Sequence, residues 1–181
     1  MALKKTWYEI VAPKMFDEAV IGHTLASDPK QLKNRKIKIS LADINRSYSK
    51  FYMKMHFQIH DVKGTKALSK FTGHNCTTER MYRMVQRRTR RVDAVQKCTT
   101  KDDVKIRIKS ILILVKRTST STKDSVRTKM KDVVENYVKQ KSLEELMKDI
   151  INDELQKKIR SECKKIYPVG AVEIRSSEVL S

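Results

Sequence analysis

Six arginines, Arg80, Arg83, Arg87, Arg88, Arg90 and Arg91, fall within twelve residues, with no lysine among them and one acid, Glu79, at their head. A guanidinium is a planar fork of five donors. It grips phosphate bidentately and stacks on bases, which the ammonium of lysine does not. The chemistry on offer is therefore recognition of phosphate. Lys33, Arg35, Lys36 and Lys38 form a second basic set, and Lys4 and Lys5 a third. A single charged run is most often a solvated helix face. The formal charge of +19 over 181 residues favours a phosphate surface instead. Like charges at that density weaken the compact state unless a polyanion neutralises them. The expected contacts are Lys4, Lys5, Lys33, Arg35, Lys36, Lys38, Arg80, Arg83, Arg87, Arg88, Arg90 and Arg91.

The other chemistries are poorly supported. His56 and His60 would share a face on a helix. Their segment alternates as a strand, which sets them about 13 Å apart, too far to share an ion. His74 and Cys76 offer two ligands with nothing nearby to add two more. No Walker loop, dinucleotide-binding glycine pattern or nucleophile elbow is present. Glu144, Glu145, Asp149, Asp153 and Glu154 cluster at expected helix starts and outer faces, a place for capping and for the helix dipole. That acidic helix should face away from RNA. No enzyme, metal or cofactor is expected.

At this length the chain can bury about 70% of its unfolded surface. Cys76, Cys98 and Cys163 are odd in number and far apart, which reads as buried or half-buried thiols in a reducing compartment. No apolar run approaches the roughly 20 residues of a membrane-spanning helix.

Several elements must position the bases. Thr78 caps a helix with Met81, Met84, Val85 and Arg88 on one face and Arg80, Arg83, Arg87 and Arg90 on the other. A hairpin follows. Val92, Ala94, Gln96 and Cys98 face one way, and Val104, Ile106 and Ile108 alternate with Lys105, Arg107 and Lys109. Lys101-Asp102-Asp103 makes its turn, and Ile111 to Val115 suits a strand buried on both faces. Earlier, Ile37, Ile39 and Leu41 face in on one strand. Phe51, Met53, Met55, Phe57 and Ile59 face in on the next, and Ala67 to Gly73 is its partner. Met15 to Ile21 reads as a short turn or helix ending at Gly22. Trp7, the only tryptophan, could stack on a base but reads better as a lid on the core.

After a Ser/Thr loop at 118–122 the period changes to 3.6. Val126, Met130, Val133, Val134, Tyr137 and Val138 make one apolar stripe. Ser142-Leu143-Glu144-Glu145 is a capping box opening a second helix with Leu143, Leu146, Met147 and Ile150 inward. Asp153 can cap a third, with Leu155, Ile159, Cys163 and Ile166 inward, and Pro168 stops it. The fold class is α+β: a strand-rich body over about 1–117, helices over about 122–167, a final strand over about 169–175 and a short tail at 176–181, in one domain.

The chain resembles a known family. Lys4-Lys5-Thr6-Trp7-Tyr8 with Ala12-Pro13-x-Met15-Phe16, then Ile21-Gly22-His23-Thr24-Leu25, Ser40-Leu41-Ala42-Asp43-Ile44, Asp61-Val62-Lys63-Gly64 and Ile166-Tyr167-Pro168 occur in the order of the small-subunit ribosomal protein family called e-S-one, or S-three-a. The resemblance runs over residues 4 to 175. It implies a barrel-like body of antiparallel strands with three or four packed helices, mostly in the C-terminal third. It also implies contact with small-subunit rRNA on the platform near the mRNA exit, neighbouring platform proteins, proximity to a multi-subunit initiation factor, a ribosomal location in the cytoplasm and assembly in the nucleolus. Two departures stand out. The family usually has a Trp within the stretch Gln86-Arg87-Arg88-Thr89, and tends to Asp-Gly where this chain has Asp102-Asp103, which predicts a looser hairpin turn. The Lys-rich leader and long charged tail common in the family are expected to be short.

The resulting expectation is a structural rRNA-binding protein that supports translation and subunit assembly. A free RNA-binding regulator or assembly factor, and a protein-docking module for an initiation factor, are its rivals.

Overall fold

A computed structural model describes residues 5–45 and 50–180. Among these residues there are eight β-strands and five α-helices, with the longer helices in the C-terminal part. The residues group into two compact units, 1–75 and 76–181. The boundary falls at the end of a strand, not between a strand-rich and a helical part.

The first unit holds β1 (Thr6–Val11), β2 (Val20–Ala26), β3 (Lys36–Ser40), α1 (Leu41–Asn45), β4 (Met53–Lys63) and most of β5 (Lys66–Cys76). The strands pair in the order β2-β1-β5-β4-β3. β1 runs antiparallel to β2 and parallel to β5, where Glu9, Ile10 and Val11 meet Lys66, Ala67 and Leu68. Strict alternation builds the core. Tyr8 and Ile10 of β1 join Ala26, Leu32, Ile59 and Ala67 in one buried cluster. Met53, Met55, Phe57 and Ile59 are fully buried, as their spacing predicts. Phe16, on a single 3-10 turn (Lys14–Phe16), meets the Phe57 ring edge-on at 5.5 Å. Of the short turn or helix expected over Met15 to Ile21, the turn is what forms, and β2 already starts at Val20.

Three expectations are corrected here. Trp7 is 64% exposed, because β1 points Tyr8 and Ile10 inward and so turns Trp7 outward. Phe51 is also exposed, since it precedes β4 rather than belonging to it. Leu41 starts a helix instead of ending a strand, with Ser40 Oγ accepting from the Ala42 N–H at 3.3 Å. The pairing among the described residues is open and does not close into a barrel. At the open edge, β3 carries Lys36 and Lys38, charges that discourage pairing with another chain.

The second unit holds α2 (Thr78–Met84), β6 (Arg90–Thr99), β7 (Lys105–Leu114), α3 (Thr120–Lys139), α4 (Leu143–Ile151), α5 (Glu154–Lys164) and β8 (Val169–Val179). β7 lies between β6 and β8, antiparallel to both. Val92, Ile106, Ile108, Leu112 and Leu114 are fully buried, and α3 packs on β6 while α5 packs on β8. Ile111 and Ile113 on the other face of β7 are buried too, so this run is covered on both sides as its composition predicts. β8 continues through 176–179, which are strand rather than tail.

All six residues of the predicted α3 stripe are buried. The helix begins earlier than the Ser/Thr composition predicts. Ser119 Oγ accepts from the Thr122 N–H at 3.3 Å, so the hydroxyl residues cap the helix instead of interrupting it. On α5, Leu155, Ile159 and Cys163 are buried, but Ile166 lies beyond the helix end and is exposed. Asp153 precedes α5 at φ 62°, and its carboxylate accepts from the Gln156 side-chain amide at 3.1 Å rather than from the helix backbone.

The α4 capping box forms with both arms. Ser142 Oγ accepts from the Glu145 N–H (3.3 Å) and Glu145 Oε2 accepts from the Ser142 N–H (3.1 Å). Asp102 Oδ2 adds a third bond, accepting from the Leu143 N–H at 3.0 Å. The hairpin turn is thereby tied to the α3–α4 corner and is not loose: Asp103 adopts the left-handed φ of 56° that a glycine would take. We expect Ser142→Ala to cost about 1 kcal/mol in urea unfolding while leaving RNA affinity unchanged. An equal loss of RNA affinity would place α4 in the binding face.

Candidate nucleic-acid interface

The arginine stretch does not continue as a helix. α2 ends at Met84, with Val85 extended. Thr89 then folds back on Gln86: its N–H (3.3 Å) and Oγ1 (2.7 Å) both donate to the Gln86 carbonyl. Hydroxyl side chains that bond the local backbone compete with helix propagation. Arg88 sits at φ 68°, a left-handed conformation that a non-glycine residue adopts only under local constraint. So Arg80 and Arg83 lie on a helix, Arg87 and Arg88 on a turn, and Arg90 and Arg91 at the start of β6.

Their environments separate the six. Arg80 Nε lies 3.5 Å from Glu173 Oε2, a carboxylate whose side chain is only 4% exposed. Arg80 is thus the counterion of a buried acid on β8. Arg91 Nε donates to both Asp93 oxygens at 2.9 Å. Arg90 is half-buried. Arg83, Arg87 and Arg88 are exposed and make no ion pair among the described residues, and Tyr82 beside them is 74% exposed. These three guanidinium groups are left uncommitted by the carboxylates among the described residues.

The other predicted bases lie in the first unit. Lys4 falls outside the described residues, and Lys5 is exposed just before β1. Lys33 is 3.8 Å from Asp61. Arg35 donates through Nη1 to Thr24 Oγ1 and, at 3.3 Å, to the Leu25 carbonyl. Lys36 and Lys38 point outward from β3 opposite Gln58 and His56 of β4. Lys54, opposite Ser40, extends this lysine face, which no acid of β3 or of 53–60 in β4 interrupts. Sequence reasoning assigned Lys54 to the outer side of its strand but not to the site.

It also passed over the outer face of the β6–β7 hairpin. Lys97, Lys105, Arg107 and Lys109 stand there, and the alternation with buried isoleucines was the available signal. Glu178 of β8 accepts from Lys109 Nζ (2.7 Å) and from Arg107 (3.2 Å). The Lys109 hydrogen bond, ahead of the Arg107 contact, holds the Glu178 carboxyl below its usual range. A depressed folded-state value means that this contact is fully present above the ordinary carboxylate range and is lost as pH falls through the lowered value. At neutral pH the face keeps a net positive charge with one acid fixed in its midst.

Two thiols of this unit, Cys98 and Cys163, are not prepared for covalent chemistry. Burial pushes the Cys163 thiol up to about 11 and raises Cys98, the reverse of an activated nucleophile. Burial, and then the hydrogen bond to Asp149, raise the Tyr137 hydroxyl. That hydroxyl donates to Asp149 Oδ2 at 2.7 Å, and Lys141 lies 3.4 Å from the same oxygen. Asp149 is therefore buried, not on the outer face expected for it. No group of three metal-ligating side chains is assembled among the described residues. No helix among them is long and apolar enough to cross a membrane.

Comparison with known proteins finds relatives that match nearly the whole chain. The chain is similar to small ribosomal subunit protein eS1 of Methanobrevibacter smithii, 35% identical over 178 residues, covering 98% of this chain and 92% of that protein. It is 36% identical over 178 residues to small ribosomal subunit protein eS1 of Methanocaldococcus jannaschii, covering 98% of this chain and 80% of the relative. The protein of the same name from Methanopyrus kandleri is 34% identical over 180 residues, with 97% and 85% covered. The Ribosomal S3Ae family matches residues 2–181, and the chain belongs to that family.

Proposed function

We propose that this chain is a structural constituent of the small ribosomal subunit, held there by rRNA. The observation that carries the reading is two groups of exposed cations with no ion pair among the described residues: Arg83, Arg87 and Arg88 on one unit, and Lys36, Lys38 and Lys54 on the other. The family is structural, and the protein is not an enzyme. Its action is electrostatic and positional. Cations neutralise phosphates, release counterions and fix folded RNA in one arrangement. Paired RNA is recognised by shape and 2′-hydroxyls, so little sequence readout is required.

The finer assignment rests on the resemblance. It implies an rRNA contact on the platform near the mRNA exit, beside other platform proteins and within reach of a multi-subunit initiation factor. Assembly would begin in the nucleolus where the cell has one. A free regulator would leave the subunit at high salt. The test is sedimentation of a tagged chain through a high-salt gradient. Co-migration with the small subunit is expected, and release to the top of the gradient would favour the regulator.

A further inference from the structure

We propose that the exposed pair Trp7 and Leu25 is a stacking platform for an unpaired RNA nucleotide, with Lys5 and Arg35 receiving its flanking phosphates. The inference rests on the rRNA-binding reading above and specifies the kind of RNA that this face takes.

The β1–β2 ladder sets Trp7 directly opposite Leu25, and both side chains are turned out of the core that Tyr8 and Ile10 fill. An indole at 64% exposure gives up most of the burial that an aromatic side chain normally gains. The position therefore offers a flat π-face to solvent. Every base has a matching face, so stacking there needs no particular sequence.

The surroundings select an anion. Lys5 lies two residues before Trp7 and is exposed. The Nη1 of Arg35 is spent on Thr24 Oγ1 and the Leu25 carbonyl, which pins the guanidinium at the edge of β2 against its backbone. Its Nη2 and Nε make no bond among the described residues and are free to donate. The one acid on this side of β1 is Glu9, whose ladder partners are His23 and Lys66. A protein neighbour would also cover two apolar side chains. The surrounding cations, on a chain of charge +19, complement a polyanion better. Bases inside a duplex hide their faces in the stack, so the occupant is a nucleotide from a loop, bulge or end.

Trp7 is the only tryptophan, so tryptophan fluorescence reports this position alone. The full chain is titrated at low salt with a short single-stranded RNA and with a duplex of the same length, both dye-labelled so that anisotropy follows binding. The single strand should quench Trp7 on binding, and the duplex should bind without quenching. Trp7→Ala should weaken single-strand binding roughly 5- to 150-fold, as expected for one lost stacking contact. Duplex affinity should be unchanged, and Trp7→Phe should recover most of the loss.

Single-strand binding with no quenching, and equal affinity for Trp7→Ala, would overturn the platform while leaving the rRNA reading intact. Failure of the wild-type chain to bind either RNA would overturn both. Shielding of Trp7 from radical oxidation in the assembled subunit, with no quenching by RNA, would overturn the proposal in favour of a protein neighbour.

Discussion

Raising salt from about 50 to about 200 mM should weaken binding of the isolated chain to small-subunit rRNA on the order of a thousandfold. Six phosphate contacts are expected, at Arg83, Arg87, Arg88, Lys36, Lys38 and Lys54, all exposed and without an ion pair among the described residues. Six phosphates at a slope of about −0.9 each give roughly −5.4 in log affinity against log salt, and a fourfold rise in salt then costs about three decades. Arg80, Arg91, Arg107 and Lys109 are left out because internal carboxylates already hold them. Arg87→Ala should lower the slope by about one without moving the unfolding midpoint. Filter binding across a salt series measures both, and a flat response would mean that these cations are only solvated.

The second large effect is on stability. Arg80→Ala should cost about 2–3 kcal/mol, because it removes an ion-pair partner of a carboxylate buried on β8. This lies at or below the roughly 3–5 kcal/mol of a fully buried pair because the Arg80 side chain is 41% exposed and partly screened. Glu173→Gln should cost less, since it removes the charge that needs compensation. The salt slope for RNA should not change in either variant. Urea unfolding together with a salt titration separates the roles. An unaltered midpoint with a slope reduced by about one would make Arg80 a phosphate contact instead.

The helices of the second unit were the most legible part of the sequence. The six-residue α3 stripe and the α4 capping box depend on local spacing, and local spacing decides helices. The alternation of β4, β6 and β7 was read for the same reason. What sequence could not give was the identity of partners distant along the chain. Nothing near Arg80 announces Glu173, 93 residues away in the chain. Trp7 was misplaced because aromatic residues usually fill cores, a tendency that the two-residue period of β1 overrides once Tyr8 and Ile10 occupy the inside. The arginine helix was drawn too long because the 3.6 spacing of Arg80, Arg83, Arg87 and Arg90 continues past Met84. The break comes from the bonds of Thr89 to Gln86 and from the left-handed Arg88, which leave no periodic trace. The basic character of the site was legible; which bases are free was not, because that depends on where the carboxylates fold.

On this reading the arginines at the end of α2 and in the turn before β6, and not net charge alone, seat this chain in the small subunit. The direct test compares tagged chains carrying Arg83→Glu with Arg87→Glu against chains carrying Lys148→Glu with Lys157→Glu, scored by incorporation into small subunits on sucrose gradients. Both pairs are exposed, make no ion pair among the described residues and change the net charge equally. Lys158 is avoided as a control because its ammonium lies 4.8 Å from the centre of the Tyr137 ring. The arginine pair should be largely excluded from subunits while the lysine pair enters as wild type does. Equal incorporation of the two would contradict the account.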